Sequence, residues 1–152
     1  MKALIVYDSV YGNTEKIAKA ISGAITGEVK VLRVGEVNPS ELKTIDLFIV
    51  GSPTQGGRPT PAIKEFLSKI PANALKNVSV TSFDTRVTNI LARPFGYAAG
   101  RIADSLKDKG GHLVAPPEGF IVEGTKGPVK EGELERAANW AKEIIAAHRG
   151  KK

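Results

Sequence analysis

Lys2-Ala3-Leu4-Ile5-Val6-Tyr7, followed by Asp8-Ser9-Val10-Tyr11-Gly12-Asn13-Thr14, decides how this chain reads. The first six residues form a near-continuous apolar run, as expected for a strand buried on both faces of a parallel sheet. From Thr14 to Ile25 the period changes. Ile17, Ala18, Ile21, Ala24 and Ile25 fall on one helical face, and Glu15 and Lys19 make an i,i+4 pair outside it. A buried strand thus passes through a short polar loop into an amphipathic helix.

The alternation repeats along the chain. Glu28 to Val34 alternates and is rich in valine, as an outer strand is. Ile45 to Val50 is a third strand, ended by Gly51-Ser52-Pro53. Pro61 to Ile70 is a helix with Pro61 in its first turn and Ile63, Phe66, Leu67 and Ile70 facing inward. Val78 to Phe83 is the fourth strand. Tyr97 to Lys109 is a helix with Ala99, Ile102, Ala103 and Leu106 inward, closed by Gly110-Gly111. His112 to Ala115 and Phe120 to Val122 form a fifth strand interrupted by Pro116-Pro117, and Glu131 to His148 is the last helix; its Trp140 lies on the face of Ala137, Ala141 and Ile144 and reads as core. Asn38 to Thr44 reads as a short helix.

Strands alternating with helices imply parallel pairing with helices on both faces. The expected fold class is α/β, a doubly wound five-stranded parallel sheet in a single domain over residues 1–152. Such sheets bind ligands outside the carboxyl ends of the strands, where strand order reverses. Three loops are therefore singled out: Asp8 to Asn13, Ser52 to Thr60, and Asp84 to Pro94.

Composition narrows the chemistry. There is no cysteine among the 152 residues, which excludes disulfides, thiolate nucleophiles, iron–sulfur clusters and zinc–thiolate sites. No apolar run reaches the roughly 18 residues of a membrane helix. The N-terminal run is too short for a signal peptide, so the cytoplasm is the default expectation. Net charge is +6, but the charges are spread along the chain without the basic-helix and aromatic pattern of a nucleic-acid binder. Neither nucleic acid nor membrane is expected as a partner. His112 and His148 have no metal-ligand or triad partner at useful spacing.

The first loop is an anion site by construction of its backbone. Free N–H groups at a helix start and the helix dipole favour negative charge. Ser9, Asn13 and Thr14 add short donors, and Gly12 lets a ligand approach closely. The loop lacks the lysine and spacing of a P-loop and the three-glycine dinucleotide fingerprint, so a single phosphate is the expected anion. The alternative is a plain N-cap in which Asn13 or Thr14 satisfies the helix donors.

Ile5-Val6-Tyr7-Asp8-Ser9 with Gly12, Thr14, Ala18 and Ile21 resembles the FMN-phosphate motif of the flavodoxin family. Asp46-Leu47-Phe48-Ile49-Val50-Gly51-Ser52-Pro53-Thr54 resembles that family's third strand and second flavin loop, and the likeness extends along essentially the whole chain. The resemblance implies the flavodoxin-like strand order 2-1-3-4-5 and non-covalently bound FMN. It implies phosphate contacts from Ser9, Tyr11, Gly12, Asn13 and Thr14. Flavin contacts would come from the second loop, Pro53, Thr54, Gln55, Gly56 and Gly57, and from the third, Asp84, Thr85 and Arg86. Gln55 stands where many members carry a stacking aromatic ring. Phe95 or Tyr97 is the nearest ring to the third loop, as outer stacker or as helix anchor. Arg58, Arg86 and Arg93 outnumber Asp8 and Asp84 in these loops, so a positive field at the flavin is expected; the competing reading is that the three arginines point to solvent or pair with nearby acids.

The resemblance further implies an electron carrier between redox partner proteins, as a monomer or weak homo-oligomer. An FMN-dependent enzyme of the same fold, a quinone reductase or a protoporphyrinogen-oxidase-like protein, is the alternative. A flavin-free binding module is the third reading.

Overall fold

Side chains alternate across a strand, so odd and even positions of a central strand feed two different cores. The computed structural model describes residues 1–42, 44–87 and 97–150. Its strands are β1 (Lys2–Tyr7), β2 (Glu28–Arg33), β3 (Leu47–Pro53), β4 (Ser79–Val87), β5 (His112–Leu113) and β6 (Glu118–Val122). Its helices are α1 (Asn13–Gly23), α2 (Pro61–Lys69), α3 (Ala98–Asp108) and α4 (Glu133–Gly150). Ala3, Ile5, Tyr7, Leu47, Ile49 and Phe83 pack with the apolar faces of α1 and α4. Leu4, Val6, Phe48, Val50 and Val80 pack with those of α2 and α3. Two helix layers therefore cover one sheet.

The path through the sheet is β2-β1-β3-β4-β5, the order expected, and every pair along it is parallel. The fifth position differs in detail. It holds two strands: β5 opposite the start of β4, with Ser79 beside His112, and β6 opposite its end, with Phe83 beside Glu118. Pro116 and Pro117 fall between them, and a residue without an N–H cannot continue the ladder.

Four expectations are corrected. β4 runs on to Val87 instead of ending at Phe83, so Asp84, Thr85 and Arg86 are strand residues and not loop residues. The polar Asp84 remains in the strand because it meets N–H donors there, as described below. Among the described residues between Asn38 and Thr44 the expected short helix is a single 3-10 turn at Pro39–Glu41, where the Asn38 carboxamide accepts from Ser40 N–H at 3.0 Å. The third strand starts at Leu47 and the last helix at Glu133, each two residues later than the periodicity implied.

Phe83, Phe120 and Trp140 form an edge-to-face aromatic cluster with centroids 5.8 to 6.3 Å apart, so Trp140 is core as expected. The Phe83 ring lies across Gly51 on the adjacent strand, where any β-carbon would clash with the ring's Cζ edge. Glycine here admits the aromatic ring. Gly51→Ala should destabilise the domain by about 1–3 kcal/mol through overpacking, seen as a lower urea midpoint with an unchanged slope.

A second tie joins α4 to β6. The Glu133 carboxylate accepts from the Arg136 guanidinium at 2.8 Å and from Ile121 N–H at 2.7 Å, while Arg136 also reaches Glu118 at 2.8 Å. The Arg136 hydrogen bonds hold the Glu133 carboxyl below its usual range, against the effect of burial. A depressed folded-state value contributes stability that is complete above the unfolded value of about 4.3 and is lost as pH falls through the folded value. Glu133→Gln should therefore cost about 1.5–3 kcal/mol at pH 7. The gap to the wild type should close as denaturation is repeated at pH values below about 4.

Candidate functional site

Strand order reverses between β1 and β3, so the loops that follow them open side by side at the carboxyl edge of the sheet. The first loop is held from below. Asp8 N–H donates to the Gly51 carbonyl at 3.1 Å. The Asp8 carboxylate accepts from Ser9 N–H at 2.9 Å and from the Thr60 hydroxyl at 2.6 Å. Thr60 is the N-cap of α2, so this contact pins the first loop to the second helix.

Gly12 is the N-cap of α1, with φ +91°, a left-handed conformation that glycine adopts without strain. It has no side chain with which to cap. The Ser9 hydroxyl accepts from Gly12 N–H at 3.0 Å and only distantly, at 3.4 Å, from Glu15 N–H. The backbone N–H groups of Asn13 and Thr14 have no hydrogen-bond partner among the described residues, and neither side chain caps the helix. The plain N-cap alternative is thus not what the chain adopts. Both residues are buried, and Thr14 and Thr85 share a hydroxyl–hydroxyl hydrogen bond of 2.8 Å that locks α1 to β4. The acids nearby are engaged. Arg33 lies 3.9 Å from Asp8 and 3.6 Å from Glu15. The Tyr7 hydroxyl donates to Glu15 at 2.5 Å and holds its carboxyl below the usual range. The partial positive charge of the α1 N-terminus is left facing outward.

In the second loop, Thr54 N–H donates to the Thr85 carbonyl at 2.9 Å and its hydroxyl accepts from Ala98 N–H at 3.0 Å, so this loop sets the start of α3. Gln55 and Arg58 exchange both backbone hydrogen bonds, at 2.8 and 3.1 Å, around Gly56 and Gly57. Those glycines have φ of +59° and +80°, the tight hairpin turn in which both central residues need the left-handed region.

At the third strand end, fully buried Asp84 accepts from Arg86 Nε and Nη2 at 2.7 Å each and from Ala99 N–H at 2.9 Å. The Arg86 guanidinium lies over the Tyr97 ring, 3.5 Å from its centroid. Tyr97 thus anchors the start of α3, and Arg86 is paired with an acid.

A cavity of about 110 Å³ opens between these loops. It gathers nine of the expected residues: Ser9, Tyr11, Asn13, Thr14, Pro53, Thr54, Gln55, Thr85 and Arg86. Gly12, Gly56 and Gly57 shape the turns without lining it, and Asp84 sits beneath Arg86. Phe95 and Arg93 lie outside the described residues. Val10, Val87, Val122 and Thr125 line the cavity although sequence reasoning did not single them out. Thr125 arrives on a turn between β6 and α4, closed by hydrogen bonds of 2.9 Å from Glu123 N–H to the Pro128 carbonyl and from Gly127 N–H to the Gly124 carbonyl. Gly127 abuts the Asn13 carboxamide so closely that a β-carbon there would lie 2.6 Å from Asn13 Oδ1. The available signal was the turn composition of Gly124-Thr125-Lys126-Gly127-Pro128, directly after a strand end.

The donor set suits one tetrahedral anion: two free backbone N–H groups at a helix start, hydroxyls of Ser9, Thr14 and Thr125, and the Asn13 amide. A larger hollow of about 350 Å³ flanks edge strand β2, but it lies away from the order reversal and from these donors. Among the described residues no cluster of His, Asp and Glu could hold a metal ion, and no helix is long and apolar enough to cross a membrane.

The family model described as Flavodoxin matches residues 5–140. Oxidised Flavodoxin 2 from Bacillus cereus superposes with a TM-score of 0.83 at 25% identity, over 96% of this chain and 99% of that one. Rubredoxin oxygen:oxidoreductase from Desulfovibrio gigas superposes at 0.78 and 24% identity, over 99% of this chain and 36% of that one. Among curated proteins, a putative diflavin flavoprotein from Nostoc is 42% identical over 65 residues, 38% of this chain. An uncharacterized protein from Methanocaldococcus jannaschii is 39% identical over 74 residues, 44% of this chain. The chain spans 11% and 19% of those two relatives' own lengths. The match over residues 5–140, on a sheet of the same strand order, shows that the chain belongs to the flavodoxin family.

Proposed function

We propose that this protein binds FMN non-covalently in the cavity at the β1/β3 reversal and serves as an electron carrier through it. The observation that carries the reading is the start of α1, where Asn13 and Thr14 present unpaired N–H groups to a cavity ringed by hydroxyls. That arrangement recognises a dianionic phosphomonoester and offers nothing comparable to a neutral hydroxymethyl end. Tyr11, Gln55 and Val87, which line the cavity, would border the ring system. When bound, FMN supplies one- and two-electron chemistry.

The residues of the chain bind and orient. Ser9, Asn13, Thr14 and Thr125 would hold the phosphate. Pro53, Thr54 and Gln55 would border the ring, with the Gln55–Arg58 hairpin keeping that edge rigid. Arg86 brings a guanidinium to the cavity but shares its charge with Asp84, so the field it applies is that of an oriented pair and not of a free cation. This tempers the strongly positive field that the loop composition suggested. No described side chain is placed as a dedicated acid or base.

Titration of the apoprotein with FMN and with riboflavin, followed by flavin fluorescence, tests the reading. Charge-assisted hydrogen bonds to the phosphate, worth about 1.5–3 kcal/mol each, should make FMN bind at least about tenfold tighter. Equal affinities would contradict the phosphate site.

The newly located turn makes a finer prediction. Thr125→Val removes a hydroxyl while keeping the shape of the side chain. It should weaken FMN several-fold and leave riboflavin unaffected, since only FMN carries the group that the hydroxyl reaches. A parallel loss for both ligands would mean that Thr125 shapes the ring pocket instead.

A further inference from the structure

A second cavity, of about 260 Å³, lies in the groove between α2 and α3. Its rim carries Arg58, Lys64 and Arg101, all exposed, over a floor that includes Pro59 and buried Leu67. Among the described residues no carboxylate lines it. Elsewhere on the same two helices exposed cations are matched: Lys69 lies 2.9 Å from Glu65, and Lys107 lies 3.6 Å from Asp104. Arg58 and Lys64 have no acidic partner among the described residues. Like charges gathered around one hollow repel each other, and an acidic ligand there would relieve the repulsion.

The position of this hollow gives it meaning. Gln55, on one arm of the second-loop hairpin, lines the proposed cofactor cavity, whereas Arg58, on the other arm, lines the cationic one. Two backbone hydrogen bonds join those residues. Arg101 Nε donates to the carbonyl of Gly57, at the hairpin's tip, at 2.8 Å. The two cavities are therefore opposite sides of one hairpin. On the cofactor side, exposed Val10 (54%) stands at the mouth beside Tyr11 and Val87, which would border the bound flavin. An apolar centre beside a charged flank is the anatomy of a protein docking face.

We propose that this face docks a small acidic electron-carrying protein, with its carboxylates over Arg58, Lys64 and Arg101 and an apolar patch over the mouth of the cofactor cavity. The reading rests on the proposed carrier role. A partner bound there would have the Gln55–Arg58 hairpin between its carboxylates and the cofactor cavity. The excess charge of the chain adds long-range attraction of the same sign and speeds encounter.

The test uses isotopically labelled, FMN-loaded protein titrated at low ionic strength with a plant-type ferredoxin as the acidic probe and with cytochrome c as the basic control. Loss of FMN binding would show in the absorbance of the sample before any titration, so failure of the cofactor reading is seen separately. Ferredoxin should perturb the amides of Gly57, Arg58, Lys64 and Arg101 together with those of Val10, Tyr11 and Val87, and cytochrome c should perturb none of them. The variant Lys64→Glu, on α2 and outside the flavin loops, with FMN absorbance and far-UV circular dichroism unchanged, should weaken ferredoxin about tenfold, and 0.5 M salt should do the same to the wild type. Perturbations that map to other surfaces, an unchanged affinity in that variant, or equal binding of cytochrome c would overturn the proposal.

Discussion

Two backbone N–H groups without a hydrogen-bond partner among the described residues, those of Asn13 and Thr14, are the constraint around which the rest of the site is arranged. A helix start normally satisfies such donors with a Ser, Thr, Asp or Asn at the cap. Here the cap position is Gly12, and the short polar side chains that could have closed it are turned to other work. Ser9 braces the loop from within, and Thr14 is tied to Thr85. Leaving donors open in a partly buried place costs stability unless a ligand arrives. Nearby carboxylates are correspondingly restrained, Asp8 by Thr60 and Arg33, Glu15 by Tyr7 and Arg33. The loop presents its positive end without a competing negative one.

The fold supplies the rigidity that such a site requires. Parallel pairing brings the carboxyl ends of β1, β3, β4 and β6 to one edge, and short polar contacts lash those ends together. Thr54 joins β4 to α3 through its N–H and its hydroxyl. Asp84 joins Arg86 to the first turn of α3. Gly127 brings the last turn onto Asn13. Below this polar edge lie two apolar cores, one of which depends on glycine at position 51 to admit Phe83. Packing precision in the core and donor precision at the edge are therefore one problem, since a shift of β3 against β4 moves the Thr54–Thr85 contact directly.

The sequence carried the framework well because the framework rests on periodicity. Buried parallel strands read as apolar runs, and the helices as single-sided stripes, so element order and the point where strand order reverses followed. The first loop was also legible, since its glycine and short polar residues have few other uses at a strand–helix junction. What could not be read depended on contacts distant in the chain. Asp84 looks like the end of a strand until Arg86 and Ala99 N–H are seen around it, and β4 then continues to Val87. Arg86 looks like a free cation by the flavin until its acid is located. Thr125 enters the site only through the docking of Gly127 against Asn13, more than a hundred residues earlier in the chain, which no local pattern reports. The interrupted fifth strand was visible as two prolines, but that its halves pair with different stretches of β4 is a matter of register.

The central claim is that the open N–H groups of Asn13 and Thr14 hold a phosphate. The most direct measurement is an amide nitrogen–proton correlation spectrum of the labelled apoprotein as FMN, and separately riboflavin, is added. Charge-assisted hydrogen bonds shorten and deshield the donor proton, so the Asn13 and Thr14 amides should move far downfield with FMN and stay close to their apo positions with riboflavin. If FMN binds and those two amides do not move, the phosphate lies elsewhere and the start of α1 is not its site.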